Sequence, residues 1–195
     1  MYFTNFFSKV LASRLKKVLP HIISKHQNAF LKGRLITDNI LVAFKTLHYM
    51  KNHNSQSLDF MALKLYISKS YDQVEWSFLK DVMLQMGFNN WWVALVMECI
   101  TSVTYSILIN GEPNGNIKPS RGISQADPLS PFIFLLCSEG LHRLIHKVNC
   151  NGDIKGVCIY RNGLKLTLLF FADNSLLFCW ATTHDYQKVG DSFFL

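Results

Sequence analysis

The residues best suited to chemistry in this chain are an aspartate and an asparagine set between two apolar runs. Asp173 and Asn174 follow the run from Leu166 to Phe171 and precede the run from Leu176 to Phe178. This pattern predicts a β-hairpin with a carboxylate and an amide at its turn. Because Mg²⁺ prefers hard oxygen ligands, the hairpin is a candidate metal site if other elements bring further ligands to it.

A second element could supply those ligands. The apolar segment from Phe60 to Ile67 predicts a buried strand, although its Met, Ala and Leu residues leave a helix open. If this strand and the hairpin bring their ends together, carboxylates there could hold two metal ions about 4 Å apart. Such a pair of ions activates a hydroxyl and neutralises a leaving pyrophosphate, which is the chemistry of nucleotidyl transfer.

The composition favours a nucleic-acid partner. The 195 residues suffice for one domain or for a fragment of a larger one. Charged residues make up 17% of the chain, below the usual value of about 25%, so we expect exposed apolar surface. The net charge of +7 favours polyanions, nucleic acid above all, with an unremarkable basic protein as the alternative.

The cysteines and the apolar runs bear on the location of the protein. The five cysteines show no paired short spacing, which predicts reduced thiols in an intracellular protein. The amino-terminal residues lack a signal-peptide pattern, and no apolar run approaches the roughly 20 residues of a membrane span. We therefore expect no membrane partner.

The predicted elements alternate between helices and strands. A helix runs from Phe6 to Leu19 and is stopped by Pro20, and a second helix begins at a cap at Thr37 or Asp38. The apolar positions of the second helix are Ile40, Leu41, Phe44, Leu47 and Met50. Further helices are predicted over 75–86, 89–103 and 129–148. A hairpin turn is predicted over 111–115, with a return strand that starts at Ile117. Two more strands are predicted at 157–160 and 166–171. This order predicts an α+β fold, a central sheet with helices packed on one face.

Six separated motifs, in the same order, resemble the reverse transcriptase of plant LINE-type, non-LTR retrotransposons. The resemblance runs from about Phe7 to Thr182, and a chance agreement of all six motifs is negligible. The motifs are Gln27-Asn-Ala-Phe-Leu-Lys-Gly-Arg-Leu-Ile-Thr-Asp-Asn39, Ala62-Leu-Lys-Leu-Tyr-Ile-Ser-Lys-Ser-Tyr-Asp-Gln-Val-Glu-Trp76, Tyr105-Ser-Ile-Leu-Ile-Asn-Gly111, Lys118-Pro-Ser-Arg-Gly122, Gln125-Ala-Asp-Pro-Leu-Ser-Pro131 and Phe170-Phe-Ala-Asp-Asn174.

The resemblance implies a polymerase palm-type sheet with helices on one face, partial fingers and no thumb. Residues 1–195 would form a partial reverse transcriptase domain, with a fingers remnant over about 1–58 and a palm with finger insertions over about 59–195. The first fingers strands are expected before Met1 and the thumb after Leu195, and no endonuclease segment is expected within the chain.

The same resemblance identifies three catalytic positions, of which one keeps its carboxylate. The family's first catalytic Asp is replaced by Tyr66, and the second residue of its adjacent Asp pair is replaced by Asn174. Asp173 remains as the expected ligand of Mg²⁺, the metal expected for the family. Because a neutral phenol is a poor magnesium ligand, we expect little or no polymerase activity.

Other positions of the resemblance concern substrates. Tyr71 matches the aromatic residue that packs where a ribose 2′-hydroxyl would clash, and Gln125 matches a residue near the incoming nucleotide. Ala126 replaces a glycine and is expected to crowd that site. The resemblance implies nucleic-acid contacts for the basic residues Arg34, Lys69 and Arg121. The implied partners are an RNA template and a DNA primer, and the implied location is the nucleus.

Three functions remain open at this point. The first is an inactive, degenerate reverse transcriptase domain, which the lost carboxylates favour. The second is a working polymerase core that tolerates both substitutions or obtains the missing groups from other subunits. The third is a non-catalytic module that binds nucleic acid through its basic residues, and its binding would depend on salt concentration.

Overall fold

The structure is a computed structural model that describes residues 2–52, 59–66, 70–159, 165–171 and 174–193. The chain divides into two compact units, Met1–Ile23 with Lys69–Ser138, and Ser24–Ser68 with Glu139–Leu195. Six helices and seven strands occur in the described ranges: α1 Tyr2–Ile22, α2 Ile36–Asn52, β1 Phe60–Tyr66, α3 Trp76–Gln85, α4 Asn90–Thr101, β2 Tyr105–Ile109, β3 Glu112–Ile117, α5 Ser130–Cys150, β4 Val157–Cys158, β5 Lys165–Leu166, β6 Leu168–Phe171, β7 Asn174–Trp180 and α6 Thr183–Phe193.

Helices form the core of the first unit. Helix α1 buries Leu11, Leu15 and Leu19, which share one helix face because they are four residues apart. It packs against α4, which packs in turn against α3. The prediction that Pro20 stops α1 is wrong, since the helix continues to Ile22. A proline in the last turn removes one backbone donor, and the next turn still closes through the bond from Ile23 N to Leu19 O (2.9 Å).

The hairpin of the first unit turns earlier than the sequence predicts. Asn110 and Gly111 have positive φ angles of 53° and 86°, and Ile109 pairs with Glu112 across them. Two consecutive residues with positive φ are what a type I′ turn requires, and Asn-Gly is the pair that adopts it most readily. The prediction of a turn over 111–115 is therefore wrong, and the return strand begins at Glu112.

The second unit contains a three-stranded antiparallel sheet in the order β1-β7-β6. One face packs around Leu177 and Phe170 together with Ile145 of α5 and Val189 of α6. The other face packs around Phe178 and Leu169 together with Ala43 of α2. The predicted α+β class is confirmed. The prediction that helices pack on one face of this sheet is wrong, since α5 and α6 cover one face and α2 covers the other. Successive strand residues point to opposite faces, and the residues on both faces are apolar.

Helix α2 does not bury the apolar positions that its sequence pattern selects. Its buried residues are Asn39, Ala43 and Thr46. Of the five apolar positions that the sequence selects, only Met50 packs partly against the core. The other four are exposed, with Phe44 68% exposed: Ile40, Leu41, Phe44 and Leu47. The helix instead turns inward the side that carries Asn39, whose side chain is hydrogen-bonded in the interior. The expected exposed apolar surface is present on this helix.

Asn39 connects three separate segments of the second unit. Its Oδ1 accepts a hydrogen bond from Asn28 Nδ2 (2.8 Å), and its Nδ2 donates to His26 O (2.9 Å) and Phe170 O (2.7 Å). Asn39 is almost completely buried, so each bond satisfies a group that solvent cannot reach. The network fixes α2 and the loop before it to β6, next to the predicted hairpin.

Helix α6 has no counterpart among the predicted elements. Its start is capped by Thr182, whose Oγ1 donates to Asp185 Oδ2 (2.8 Å) and accepts from Asp185 N (3.0 Å). A threonine three residues before an acidic residue is the sequence signal of a helix start, and this signal was present in the chain.

Among the helices of the described ranges, none combines the length and the apolar character that a membrane span requires.

Replacing Asn39 with alanine is expected to destabilise the protein by on the order of 3 kcal/mol. The substitution removes a buried partner from the carbonyl of Phe170 and from the amide of Asn28, whereas the carbonyl of His26 keeps the bond from Phe170 N (3.3 Å). Urea denaturation measures the loss in the free energy of unfolding. The matched control is Asn52→Ala at the exposed end of α2, and an equal effect of both variants would contradict this role of Asn39.

Three histidines of the second unit predict that stability depends on pH. The rings of His26 and His142 lie 5.3 Å apart between centroids, and those of His142 and His146 lie 6.1 Å apart. Burial, with smaller effects from His26, His146 and Arg143, lowers the pKa of His142 to about 4. Burial also lowers the pKa of His26, against the opposing effect of Glu139.

Because His142 binds a proton more weakly in the folded than in the unfolded protein, stability is full above about pH 6.5 and falls towards pH 4. The ring is partly exposed, so we expect its contribution to be on the order of 1 kcal/mol. His142→Phe should flatten the fall of the thermal unfolding midpoint over this range, whereas His184→Phe at an exposed position of α6 should not. If the unfolding midpoint of the parent and of both variants fell equally with pH, His142 would not cause the loss of stability.

Candidate active site

Two of the predicted catalytic positions meet at one end of the sheet in the second unit. Tyr66, the last residue of β1, pairs directly with Asn174, the first residue of β7. Asn174 also pairs with Phe171, the last residue of β6. Directly opposed residues of antiparallel strands have Cα atoms about 4.5–5.5 Å apart. The predicted meeting of the strand and hairpin ends is therefore confirmed.

The strand pairing places Asn174 at the edge of the apolar core. Ser175 next to it is buried, and the Oδ1 atom of Asn174 itself is shielded from solvent. Asp173, the one predicted catalytic carboxylate, and Lys69, a predicted nucleic-acid contact, both lie outside the described residues.

The described residues at this end of the sheet do not fit a two-metal centre. The resemblance implies a divalent metal held by carboxylates here. At two of the carboxylate positions the strand pairing places a tyrosine, Tyr66, opposite an asparagine, Asn174, and neither residue type supplies a carboxylate. In the part of the chain that is described, no three His, Cys, Asp or Glu side chains are arranged to hold a metal ion.

The first unit holds a second group of predicted site residues, which is built on a close approach of two loops. Gly122 has a φ of 90°, and a Cβ atom on it would lie 3.0 Å from Asp72 O. Its N–H donates to Val74 O (2.8 Å), and Ile123 N donates to Tyr71 O (2.9 Å). Only glycine fits both this backbone conformation and this distance, so Gly122 holds the loop of Arg121 against the turn of Tyr71.

An aromatic contact orients Tyr71. Its ring stacks on that of Phe134 of α5 with 5.1 Å between centroids and 10° between planes. The side chain is half-buried, so one part of it contacts the helix and another part reaches solvent. The neighbouring turn is fixed by Trp76, whose Nε1 donates to Gly122 O (2.8 Å).

Gln125 and Ala126 are exposed residues in the turn that precedes α5. Asp127 fixes them from the other side, because its Oδ1 accepts from Leu129 N (2.7 Å) and its Oδ2 from Ser8 Oγ (2.8 Å). Positive φ angles at non-glycine residues occur, within the described ranges, only at Phe30 and Asn110. Alanine at position 126 therefore costs no backbone strain, and its predicted crowding of a nucleotide stays a prediction.

The two predicted basic contacts have different surroundings. Arg121 forms an ion pair with Glu75 (3.2 Å) in which both side chains are about half exposed, so little energy holds it. Arg34 uses Nη1 to donate to Ser24 O (2.5 Å) and Gln27 O (2.7 Å). Arg34 therefore closes its own loop, and a contact of either residue with nucleic acid stays a prediction.

The structure thus brings the predicted residues together in two groups. Tyr66, Asn174 and Arg34 belong to the second unit, and Tyr71, Arg121, Gln125 and Ala126 belong to the first. Sequence reasoning gave no role to the residues that position them. Gly122 could have been found from its place between an arginine and an apolar residue in a loop, whereas no local signal shows that Asn39 is buried.

Comparisons with known proteins agree with this geometry. The family model described as reverse transcriptase (RNA-dependent DNA polymerase) matches residues 5–194. The chain is 40% identical over 73 residues to an uncharacterised mitochondrial protein of Arabidopsis thaliana, covering 37% of this chain and 60% of that protein. It is 25% identical over 170 residues to a 149 kDa protein of transposon TX1 from Xenopus laevis, covering 87% of this chain and 12% of that one.

A third relative is the retrovirus-related Pol polyprotein of the type-1 retrotransposable element R2 from Popillia japonica, 26% identical over 175 residues. That match covers 86% of this chain and 24% of the polyprotein, so the chain spans less than two thirds of each of these relatives.

The fold is also found in an apo telomerase from Candida tropicalis truncated from its C-terminal domain. The TM-score is 0.50 at 13% identity, and the match covers 97% of this chain and 36% of that one. Together with the meeting of Tyr66 and Asn174 at the sheet end, the family match over nearly the whole chain confirms the predicted resemblance. This protein belongs to the reverse transcriptase (RNA-dependent DNA polymerase) family.

Proposed function

We propose that this reverse transcriptase domain has lost most or all of its nucleotidyl-transfer activity. The observation that carries the proposal is the direct pairing of Tyr66 with Asn174 at the end of the sheet. By the family pattern, these two positions hold carboxylates that bind the metal ions. Here the same strand pairing places a tyrosine opposite an asparagine, and neither residue type carries a carboxylate.

The physical reason is electrostatic. Two divalent cations carry four positive charges, and anionic ligands must offset much of that charge for both to remain bound. A metal that stays bound contributes several kcal/mol of charge stabilisation in the transition state, and that contribution is lost with the metal. An amide oxygen can still coordinate, but it has no charge, and a phenol at neutral pH is a weak ligand.

The proposed substrates are those of the family, an RNA template and a DNA primer. The net charge of +7 supports a polyanionic substrate, and the Gly122 contact holds the loop of Arg121 against the turn of Tyr71. We assign Tyr71 to the sugar of an incoming nucleotide and Gln125 to its base or phosphate. Arg34, Arg121 and Lys69 are proposed contacts of the nucleic-acid strands.

A second candidate function is nucleic-acid binding without catalysis. It is favoured by the same pair of observations, a substantial positive charge and an uncharged catalytic pair.

We also propose a location inside the cell, in the nucleus. The five cysteines are free thiols, which fits a reducing compartment, and cell fractionation of the tagged protein tests the proposal.

Primer extension tests the loss of activity directly. The purified protein, an RNA template with an annealed DNA primer, deoxynucleotides and Mg²⁺ should give no extension above the background of a blank preparation. The proposal would be overturned by extension whose rate is abolished in Asp173→Ala, because such a result requires a working metal site at the hairpin.

Metal binding gives a readout that does not depend on activity. The double variant Tyr66→Asp with Asn174→Asp should bind Mn²⁺ at least about tenfold more tightly than the parent, which corresponds to about 1.4 kcal/mol. Added Mn²⁺ should raise the thermal unfolding midpoint of the double variant only, because a ligand stabilises the state that binds it.

The matched control carries the same two substitutions at exposed positions, Tyr186→Asp with Asn52→Asp. Its Mn²⁺ affinity should equal that of the parent. Equal affinities of the parent and the sheet-end double variant would show that Tyr66 and Asn174 do not limit metal binding, and the proposed cause of inactivity would then be wrong.

A further inference from the structure

The positive charge of the chain is distributed very unevenly. Residues 1–37 contain seven of the 20 lysines and arginines and none of the 13 aspartates and glutamates. The remaining 13 basic residues are matched by 13 acidic residues. The whole net charge of +7 therefore arises in the first fifth of the chain, and a charge excess that is confined in this way marks a surface for a polyanion.

Four of these seven residues lie on α1, in the first unit: Lys9, Arg14, Lys16 and Lys17. The rest of that unit, residues 69–138, contains four basic and six acidic residues. Helix α1 contains no acidic residue along its 21 positions. The helix is thus a positive surface on a unit whose other segments are slightly negative.

The four side chains are available to a partner. All four are exposed, and the opposite side of α1 is buried through Leu11, Leu15 and Leu19. Within the described parts of the chain, the two ion pairs join Arg121 to Glu75 and Arg143 to Glu139, so neither uses a charge of α1. Lys9 and Lys17 are eight residues apart, which places them about 12 Å apart along the helix axis.

We infer that the exposed basic face of α1 binds the phosphate backbone of a nucleic acid, independently of base sequence. A length of about 12 Å matches about three successive phosphates of one strand, which advance about 3.4 Å each along a duplex axis. Flexible lysine and arginine side chains neutralise phosphates as counterions do, so binding at this face needs no base contacts.

An anionic membrane is the other polyanionic surface that a basic helix can bind. A helix that lies in a membrane surface needs an apolar face to insert between the lipids. The apolar stripe of Leu11, Leu15 and Leu19 is already buried. The exposed apolar residues of α1, Phe6, Phe7 and Val18, alternate with the basic residues and form no apolar face separate from the charges. The geometry therefore favours nucleic acid, and this binding does not depend on whether the protein extends a primer.

The test measures binding to a fluorescein-labelled DNA duplex of about 20 base pairs by anisotropy, between about 50 and 200 mM NaCl. The variant Lys9→Gln, Arg14→Gln, Lys16→Gln, Lys17→Gln keeps good helix formers at every position and removes four charges. Its plot of log affinity against log salt should be shallower by about 3, because each neutralised phosphate contributes about 0.9 to the slope. Its affinity at the lowest salt should fall at least tenfold.

The control variant removes four exposed lysines of the second unit, Lys51→Gln, Lys147→Gln, Lys155→Gln, Lys165→Gln, and has the same net charge. It should keep most of the parent's salt dependence. Equal losses in both variants would show that only total charge matters, and an unchanged slope in the α1 variant, or no binding by the parent at low salt, would overturn the inference.

Two further measurements cover misfolding and the membrane alternative. The half-variants Lys9→Gln with Lys16→Gln and Arg14→Gln with Lys17→Gln should each lose about half of the slope change, so the inference can fail even if the quadruple variant does not fold. Lys→Arg at positions 9, 16 and 17 should retain binding. Vesicles with about a third phosphatidylserine should not bind the parent, and α1-dependent vesicle binding with unchanged DNA binding would assign the face to lipid.

Discussion

The antiparallel pairing of β1 with β7 is the interaction on which the candidate active site depends. Seven consecutive residue pairs, from Phe60 with Trp180 to Tyr66 with Asn174, fix the register. A shift by one residue would exchange the side chains of the two faces, and each face packs against a different set of neighbours. The shape of the packed core therefore determines the register, and the register decides which two residues are opposite each other at the catalytic end.

The residues that fix the strand register are different from the residues at the catalytic end, so the fold can persist while the chemistry of that end changes. The apolar core holds the register whether the end positions carry carboxylates or uncharged groups. Asn39 and Gly122 act in the same way, one by hydrogen bonds to β6 and the other by a close backbone approach. Asn39 and Gly122 lie away from positions 66 and 174 in the sequence, and their bonds are made to backbone groups and to the side chains of Asn28 and Trp76.

Charge and apolar exposure are arranged separately from the catalytic positions. The basic face of α1 lies in one unit, and the exposed apolar residues of α2 lie in the other, among them Ile40 and Phe44. Both features agree with the low fraction of charged residues and with the net charge, which sequence composition shows directly. Composition could predict that such surfaces exist, but not which helix face carries them.

The family, the fold class and the meeting of the two strand ends were determined by the sequence alone, because motif order and apolar runs are local properties. The cap of α4 is also local, since Asn89 Oδ1 accepts from Trp91 N two residues on. The inward side of α2 and the roles of Asn39 and Gly122 were decided only by tertiary structure. Each of these depends on which distant backbone group lies within hydrogen-bonding or contact distance, and that information is absent from any local stretch of residues.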